Sequence, residues 1–322
     1  MYKKLIDILC VGELLIDMIS NDFAETMDEA ELFKRIPGGS PANLGMNMKR
    51  LGNNVRLAAT VGKDDMGQYL MRYLEKLGLN TASIRQINQP TTLILVTRSR
   101  EVSNFEAYRG ADCHISLAQL SEKLLKDVSI FHTTCFALSK KPAQSNILRG
   151  AKRAVAAGCR LSIDVNYAEK IWEDRAEAQR IVAEYCSHGA LVKCSEVDWE
   201  RLYGSKLTDA KQAAQHFLSI GASEVCITLG GDGCFVASNS DLSRENREGG
   251  HFLPTRPVEV KDTTGAGDAF WSGYLTARLE GHSTLHSAIA GRRMAELKLA
   301  HFGPLPMVVE RKKIYEDILQ NA

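Results

Sequence analysis

The chain has 322 residues, of which 44% are hydrophobic and 25% charged, a balance that favours a folded protein over a disordered one. Its 40 basic and 39 acidic residues give a formal net charge of +1, which leaves no excess charge for nucleic acid or an anionic membrane. No apolar run approaches the roughly 18 residues of a membrane span. The eight cysteines lack zinc-site spacing. We therefore expect a cytoplasmic protein with free, mostly buried thiols.

Strand and helix patterns alternate along most of the chain. Short apolar runs predict strands at residues 8–11, 57–61, 129–132, 160–165, 190–193 and 224–229. Periodic segments, each followed directly by a glycine, predict helices at 41–51, 66–77, 142–157 and 210–220. This order predicts the α/β class: a doubly wound, mostly parallel sheet flanked by helices, in a single domain spanning residues 1–322.

Two shorter strand patterns break this rhythm. Residues 91–96 and 104–108 predict an antiparallel hairpin, joined by a polar turn at 98–103. The polar, acidic segment 21–36 is expected to join the same unit. We therefore expect a small β lid, formed discontinuously by residues 15–36 and 88–112.

The strongest chemical signal lies late in the chain. Residues 262–268 read DTTGAGD, between a short strand predicted at 258–260 and a helix pattern at 269–279. Backbone amides at the start of a helix lack partners and attract anions. A small-residue turn at this point leaves those amides open, so the motif predicts a phosphate-binding anion hole.

The residues of this turn have separate expected roles. Gly265, Ala266 and Gly267 form the anion hole. Asp268 lies at its mouth, where a carboxylate would repel phosphate unless it has a chemical task. We expect Asp268 to be the catalytic base that accepts the proton of an attacking substrate hydroxyl. The alternative is that it only caps the helix.

A second motif, PGGSPANLG, occupies residues 37–45. Gly38 and Gly39 allow a tight turn that passes close to a ligand. Ser40 is a good helix N-cap, which places Asn43 in the first turn with its amide available to a sugar hydroxyl. The alternative is a well-capped helix start without a ligand.

Together, the two motifs resemble the signatures of the ribokinase-like, or PfkB, family of carbohydrate kinases, and the resemblance spans residues 8–306. It implies a kinase that uses ATP and Mg²⁺ to phosphorylate a small sugar, under a lid that excludes water. Lid strands often pair between subunits in this family, so the resemblance also implies a homodimer through the lid.

The resemblance assigns roles to individual residues. The substrate-binding residues it implies are Asp17, Gly38, Gly39, Asn43, Arg109 and Asp268. The ATP-binding residues it implies are Lys193, Thr228, Gly230, Gly233, Gly265 and Gly267. Asp198 replaces the usual Glu and, being one methylene shorter, is expected to reach Mg²⁺ through water. Asp262 and Thr264 are the candidates for K⁺, whose binding the sequence does not decide. Arg109 is placed on the second lid strand, with an exposed edge arginine as the alternative.

Three further strings resemble the branch of the family that contains fructokinases, 2-keto-3-deoxygluconate kinases and 5-dehydro-2-deoxygluconate kinases: Tyr-Arg-Gly-Ala-Asp at 108–112, Gly-Glu-x-x-x-Asp at 12–17, and Asp-x-Asn at 164–166 ahead of Trp172. Within this branch, the choice of sugar rests on one position. Many relatives carry Arg where this chain has Ala168, and losing a guanidinium removes a partner for a substrate carboxylate. Fructose is therefore the expected acceptor, with 2-keto-3-deoxygluconate and 5-dehydro-2-deoxygluconate as alternatives that Arg109 would serve. A catalytically silent sugar sensor of the same fold is the non-enzymatic alternative, which an intact Asp268 disfavours. The sequence has neither a dinucleotide-binding glycine pattern after its first strand nor a P-loop.

Overall fold

The computed structural model describes residues 4–98, 104–239 and 249–319. Its strands form two separate sheets. In chain order they are β1 Ile6–Val11, β2 Leu15–Phe23, β3 Phe33–Gly38, β4 Val55–Gly62, β5 Ile84–Ile87, β6 Leu93–Arg98, β7 Phe105–Tyr108, β8 Val128–Thr134, β9 Arg160–Asp164, β10 Leu191–Ser195, β11 Glu224–Thr228, β12 Cys234–Ser238 and β13 His251–Leu253.

The large sheet has nine strands in the order β13-β12-β11-β10-β9-β8-β1-β4-β5. All neighbours are parallel except the β11–β12 and β12–β13 pairs at one edge. Ile8 on β1 lies opposite Ile130 on one side and Val55 on the other. The chain extends the sheet in opposite directions from β1, which confirms a doubly wound α/β fold. Ligands of such sheets bind outside the carboxyl ends of the strands near this reversal.

Helices cover both faces of the large sheet. They are α1 Ser40–Arg50, α2 Asp65–Lys76, α3 Glu122–Lys126, α4 Ala143–Ala156, α5 Arg175–Cys186, α6 Glu196–Tyr203, α7 Ala210–Ser219, α8 Ala266–Leu279, α9 Thr284–Leu299 and α10 Glu316–Leu319. The four helices predicted with a terminal glycine are confirmed. Each ends two residues before a glycine of positive φ, a backbone state that glycine adopts without steric cost.

The second sheet, which we call the small sheet, has the order β3-β2-β6-β7. The predicted β6–β7 hairpin is antiparallel, as expected. Residues 99–103 of its predicted turn lie outside the described residues. The segment predicted to join the hairpin supplies the end of β2 and most of β3, and β2 pairs with both β3 and β6.

One predicted strand is wrong. Residues 258–260 form no strand and run as an irregular segment toward α8. Their apolar side chains, Val258 and Val260, line a cavity. The alternating apolar residues therefore mark the face of the segment that lines this cavity. Among the described residues, the segment has no neighbouring strand with which it could form a sheet.

The interior of the large sheet is apolar and tightly enclosed. Trp271 and Tyr274 of α8 are fully buried against it. All eight cysteines are free, and all except Cys113 are buried. Within the described ranges, no helix combines the length and the apolar character needed to cross a membrane.

Candidate active site

Asp268 occupies the first turn of α8, which begins three residues earlier than predicted. Its carboxylate accepts hydrogen bonds from Ser40 Oγ at 2.7 Å and Asn43 Nδ2 at 3.0 Å. The two sequence motifs, more than 220 residues apart, therefore meet at one carboxylate. Ser40 is the first residue of α1, whose N-cap is Gly39, so the predicted capping role of Ser40 is wrong. Its hydroxyl serves Asp268 instead.

The surroundings of Asp268 make it a stronger base. Burial raises its pKa to about 6, and the negative charge of Asp164 acts in the same direction. The hydrogen bonds from Ser40 and Asn43 and the charge of Lys193 oppose this rise. A half-buried carboxyl with a pKa near neutrality, at the start of a helix, is suited to general-base chemistry.

The turn before Asp268 lies beside a buried cation. Gly265 has a positive φ of 75°, and the Ala266 amide donates to the Thr263 carbonyl at 3.2 Å. Ala266 therefore has its amide engaged, and the amides of Gly267 and Asp268 follow it in the first turn of the helix. A Cβ on Gly267 would lie 3.1 Å from Lys193 Nζ, so this ammonium stands directly beside the turn.

Lys193 is held in place by a carboxylate on the neighbouring strand. Its Nζ donates to both oxygens of Asp164 at 2.8 Å, and both side chains are buried. Burial is the largest influence and would lower the pKa of Lys193, but the charges of Asp164, Asp198 and Asp268 and the hydrogen bond to Asp164 together outweigh burial and raise the pKa. The ammonium therefore stays charged, and it adds positive potential beside the turn at Gly267.

A cavity of about 660 Å³ opens on this side of the turn. That volume suits a nucleotide-sized ligand. Among its lining residues are all but one of the predicted ATP-binding residues: Lys193, Thr228, Gly230, Gly233 and Gly267. Its apolar wall includes Val197, Val258, Val260, Leu253, Phe270 and Leu299.

A smaller cavity of about 50 Å³ lies on the other side of the turn. Asp17 and Asn43 line it together with Gly265, the remaining predicted ATP-binding residue. Burial raises the pKa of Asp17 to about 7, and the charge of Asp268 adds to this rise. The turn from Gly265 to Gly267 therefore lies between a nucleotide-sized cavity and a smaller one.

Comparison with known proteins agrees with this arrangement. Residues 5–310 match the family described as pfkB family carbohydrate kinase. The chain belongs to this family. This PfkB kinase is thus a phosphotransferase with an alcohol group as acceptor.

Individual relatives differ in their acceptors. This PfkB kinase is 33% identical over 316 residues to the ATP-dependent 6-phosphofructokinase of Thermoanaerobacterium thermosaccharolyticum, covering 97% of this chain and 95% of the relative. It is 30% identical over 282 residues to fructokinase-1 of Oryza sativa subsp. japonica, covering 86% and 84%. The crystal structure of an uncharacterized sugar kinase from Pyrococcus horikoshii in complex with ATP superposes with a TM-score of 0.81 at 25% identity, covering 96% and 97%.

The glycine pair before α1 serves the protein's own packing. A Cβ on Gly38 would lie 2.0 Å from Asp17 Oδ2, and one on Gly39 would lie 2.3 Å from the Glu13 carbonyl oxygen. The sequence interpretation invoked a bound ligand for these glycines. In the structure, Gly38 closely approaches the Asp17 side chain and Gly39 the Glu13 backbone, while their contact with a substrate stays a prediction.

Arg109 lies one residue beyond β7, so its predicted position on that strand is wrong. Its side chain is only 10% exposed, which also excludes the edge-arginine alternative. Nη1 donates to Ser139 Oγ at 2.6 Å, and Nη2 pairs with Asp112 Oδ2 at 2.5 Å. The guanidinium also lies over the Phe136 ring, 4.3 Å from its centroid.

Asp198 lines the large cavity but is already engaged in the start of α6. Its Oδ2 accepts from Ser195 Oγ at 2.5 Å, while its own amide donates to Ser195 Oγ at 3.1 Å. Burial raises the pKa of Asp198 to about 6, against the opposing charge of Lys193. Within the described residues no three His, Cys, Asp or Glu side chains form a metal-binding group. The water-mediated Mg²⁺ contact remains a prediction.

The two candidates for K⁺ meet a cation from the protein itself. Asp262 Oδ1 accepts from the Thr264 amide at 3.0 Å, and Oδ2 accepts from Lys298 Nζ at 3.1 Å and the Gly303 amide at 3.2 Å. Burial would raise the pKa of Asp262, but these contacts together hold it below its ordinary value. The Asp262 carboxylate does not fit as a K⁺ ligand, because the Lys298 ammonium already binds it.

Sequence reasoning missed four side chains of the site: Glu13, Ser40, Asp164 and Lys298. Glu13 is 2% exposed and accepts from the Ser40 amide and from Thr134 Oγ1, both at 3.1 Å. Burial raises its pKa to about 8. A carboxyl directly after the first strand of a doubly wound sheet was the available signal.

Proposed function

We propose that this kinase transfers the γ-phosphoryl group of ATP to a hydroxyl of fructose, with Asp268 as the general base. The observation that carries the proposal is the environment of Asp268. It is fixed by Ser40 and Asn43 beside a turn that lies between the large cavity and the small one. ATP is supported as the donor by the size of the large cavity and by the ATP complex of the Pyrococcus relative.

The proposed reaction is a single in-line transfer. The sugar hydroxyl gives its proton to Asp268 while its oxygen forms a bond to the γ-phosphorus. The bond from the γ-phosphorus to the bridging oxygen breaks, and ADP leaves with that oxygen. The Gly267 amide and the Lys193 ammonium stabilise the negative charge on the transferring group. Mg²⁺, held by the phosphates and by Asp198 through water, would neutralise further phosphate charge.

A neutral sugar fits the charge balance around Arg109. Its guanidinium is already paired with buried Asp112, and Glu13 lies close enough to influence its pKa. Asp112 is therefore the charged partner of this cation, because the raised pKa of Glu13, about 8, leaves Glu13 mostly protonated at neutral pH. An acidic sugar would need a guanidinium without such partners, and Ala168 supplies none. This favours fructose over 2-keto-3-deoxygluconate and 5-dehydro-2-deoxygluconate.

Fructose 6-phosphate is a second candidate acceptor. The observation in its favour is the 33% identity, over 97% of this chain, to an ATP-dependent 6-phosphofructokinase. A 6-phosphate group needs cationic partners at the far end of the sugar. The pairing of Arg109 with Asp112 speaks against this acceptor, and fructokinase relatives support the first one.

We also propose that residues 1–322 form one domain in which the small sheet acts as a lid over the sugar. Exposed aromatic side chains on this sheet, Phe23 and Tyr108, support the proposed homodimer through the lid. Sedimentation of the purified protein would test it, since a monomer at micromolar concentration contradicts it. The eight free thiols support the proposed cytoplasmic location.

A coupled assay of ADP release tests the proposed reaction. The acceptors would be fructose, fructose 6-phosphate, 2-keto-3-deoxygluconate, ribose, glucose and nucleosides, each at several concentrations with ATP and Mg²⁺. We expect the highest kcat/KM for fructose. A higher value for fructose 6-phosphate would favour the second candidate. ADP release that no acceptor stimulates would contradict the proposed function.

A further inference from the structure

Lys298 places a buried cation behind the anion hole. It lies in the last turn of α9, and its side chain is 9% exposed. Nζ donates to Asp262 Oδ2 at 3.1 Å and to the His301 carbonyl oxygen at 3.3 Å. Its Cε lies 3.8 Å from the position that a Cβ on Gly265 would take. The ammonium is therefore adjacent to the residue that starts the anion-hole turn.

The groups around Lys298 Nζ are oxygen ligands of the kind that a monovalent metal ion uses. A carboxylate and a backbone carbonyl both face it. An ammonium carries the same single charge and donates hydrogen bonds to such oxygens. A K⁺ ion bound to Asp262 would share this carboxylate with the Lys298 ammonium, whose Nζ lies 3.1 Å from Asp262 Oδ2. The two cations would repel each other. The side chain of Lys298 thus stands where the sequence candidates Asp262 and Thr264 suggested a metal ion.

Asp262 connects this cation to the anion hole. Its other oxygen accepts from the Thr264 amide, which directly precedes Gly265. The Gly303 amide, beyond α9, binds the same oxygen as Lys298. The turn that begins α8 is therefore tied, through one carboxylate, to the end of α9. Removing the ammonium would leave a buried carboxylate without its cation, beside a site that must bind phosphate.

We propose that Lys298 is a built-in cation that replaces a monovalent metal ion behind the anion hole, so that phosphoryl transfer does not depend on K⁺. Lys298 is a positioning residue: it acts through Asp262 and the Gly265 turn. This inference rests on the proposed function, because it names how the anion hole of that reaction is supported.

The first experiment uses the wild-type protein. Turnover with ATP, Mg²⁺ and the best acceptor would be measured at equal ionic strength in potassium, sodium and tetramethylammonium chloride. We expect kcat and kcat/KM to agree within about twofold, because no site for a metal cation affects the reaction. A drop of about tenfold or more outside potassium would overturn the proposal.

The second experiment removes the ammonium. In tetramethylammonium chloride, Lys298→Met is expected to lose about tenfold or more in kcat/KM, and K⁺ or NH₄⁺ should restore part of it. Full activity without either ion would overturn the proposal, as would a loss that neither ion restores in a variant with wild-type circular dichroism. Lys76→Met, an exposed lysine at the end of α2, is the matched control and should show neither effect.

Nucleotide binding gives a readout that does not need turnover. The affinity for a non-hydrolysable ATP analogue would be measured by calorimetry in the same three salts. We expect cation-independent affinity in the wild type and potassium-dependent affinity in Lys298→Met. Wild-type affinity that requires K⁺ would overturn the inference. Binding without phosphorylation of any acceptor would instead refute the proposed function while leaving this inference standing.

Discussion

Asp268 combines two properties that a general base needs. Its pKa of about 6, raised mainly by burial, leaves it ionised at pH 7.5 and yet more basic than an exposed aspartate. Its orientation is fixed by hydrogen bonds from Ser40 and Asn43. Those donors also limit the rise in pKa, since they stabilise the charged form. The same two hydrogen bonds therefore fix the orientation of the Asp268 carboxylate and limit its pKa.

The variant Asp268→Asn tests this role. We expect turnover to fall by about 10²–10⁴-fold, because an amide cannot accept the proton, while ATP affinity changes only a few-fold. In the wild type, kcat/KM should also fall below about pH 6, as Asp268 becomes protonated. Steady-state kinetics across pH would measure both effects. Variant turnover within a few-fold of the wild type would remove Asp268 from the reaction.

At the scale of elements, the site is assembled where neighbouring strands end. Asp164 on β9 and Lys193 on β10 are register partners, and their side chains form a buried ion pair. The α8 turn then brings Gly267 against this ammonium. The sheet thereby places a cation beside the proposed phosphate site without exposing the cation to solvent, where screening would weaken its attraction for an anion.

The variant Lys193→Met separates the contribution of this ion pair to stability from the contribution of Lys193 to phosphoryl transfer. We expect turnover to fall by about 10²–10³-fold, as for the loss of a transition-state donor. Stability should fall by about 3–5 kcal/mol, because Asp164 is left buried and unpaired. Adding Asp164→Asn should restore most of the stability but not the activity. Urea unfolding and turnover of both variants measure this, and recovery of activity in the double variant would contradict the role of Lys193.

The parts of the fold that sequence predicted are those with local signals. The ends of α1, α2, α4 and α7 follow from a single glycine each, and the strands follow from short apolar runs. Residues 262–268 predicted a turn into a helix, which the structure confirms, whereas phosphate binding at that turn stays a prediction. The segment 258–260 misled because a cavity wall produces the same apolar alternation as a strand.

The remaining site residues could not be predicted because their roles arise from contacts between distant segments. Ser40 meets Asp268 across 228 positions, and Lys298 meets Asp262 across the whole of α8 and α9. A single lysine near the end of a helix has the same sequence appearance whether it faces solvent or a buried carboxylate. Only the packing of the helices distinguishes the two cases.

At the scale of the molecule, two carboxyl groups with raised pKa values lie on and just before β2 of the small sheet. Burial raises the pKa of Glu13 to about 8 and that of Asp17 to about 7. In an unfolded chain both groups titrate near pH 4. Between about pH 4 and 8 the native state therefore holds more protons than the unfolded state, so stability falls as pH rises. His132, whose pKa burial lowers to about 3, acts in the opposite direction only below about pH 6.5.

The ligand-free protein should thus be less stable at pH 8.5 than at pH 6.5. Each carboxyl contributes at most about 1.4 kcal/mol per pH unit while it titrates. Urea unfolding at both pH values measures the change. Glu13→Gln, which cannot ionise, should flatten the dependence. An unfolding free energy that rises between these pH values would contradict the assigned directions.

The acceptor is the property that depends on the whole molecule, because it would be enclosed between the large sheet and the small one. We expect a higher kcat/KM for fructose than for 2-keto-3-deoxygluconate, since a buried carboxylate without a cation is costly and each 1.4 kcal/mol changes specificity about tenfold. Arg109 offers little, because Asp112 already pairs with it. Adding a guanidinium by Ala168→Arg should shift the ratio toward the acid, whereas Arg109→Met should lower stability without a selective loss of acid use. Competition assays with both sugars measure the ratio. Faster turnover of the acid by the wild type would make fructose the wrong acceptor and leave the chain a sugar kinase.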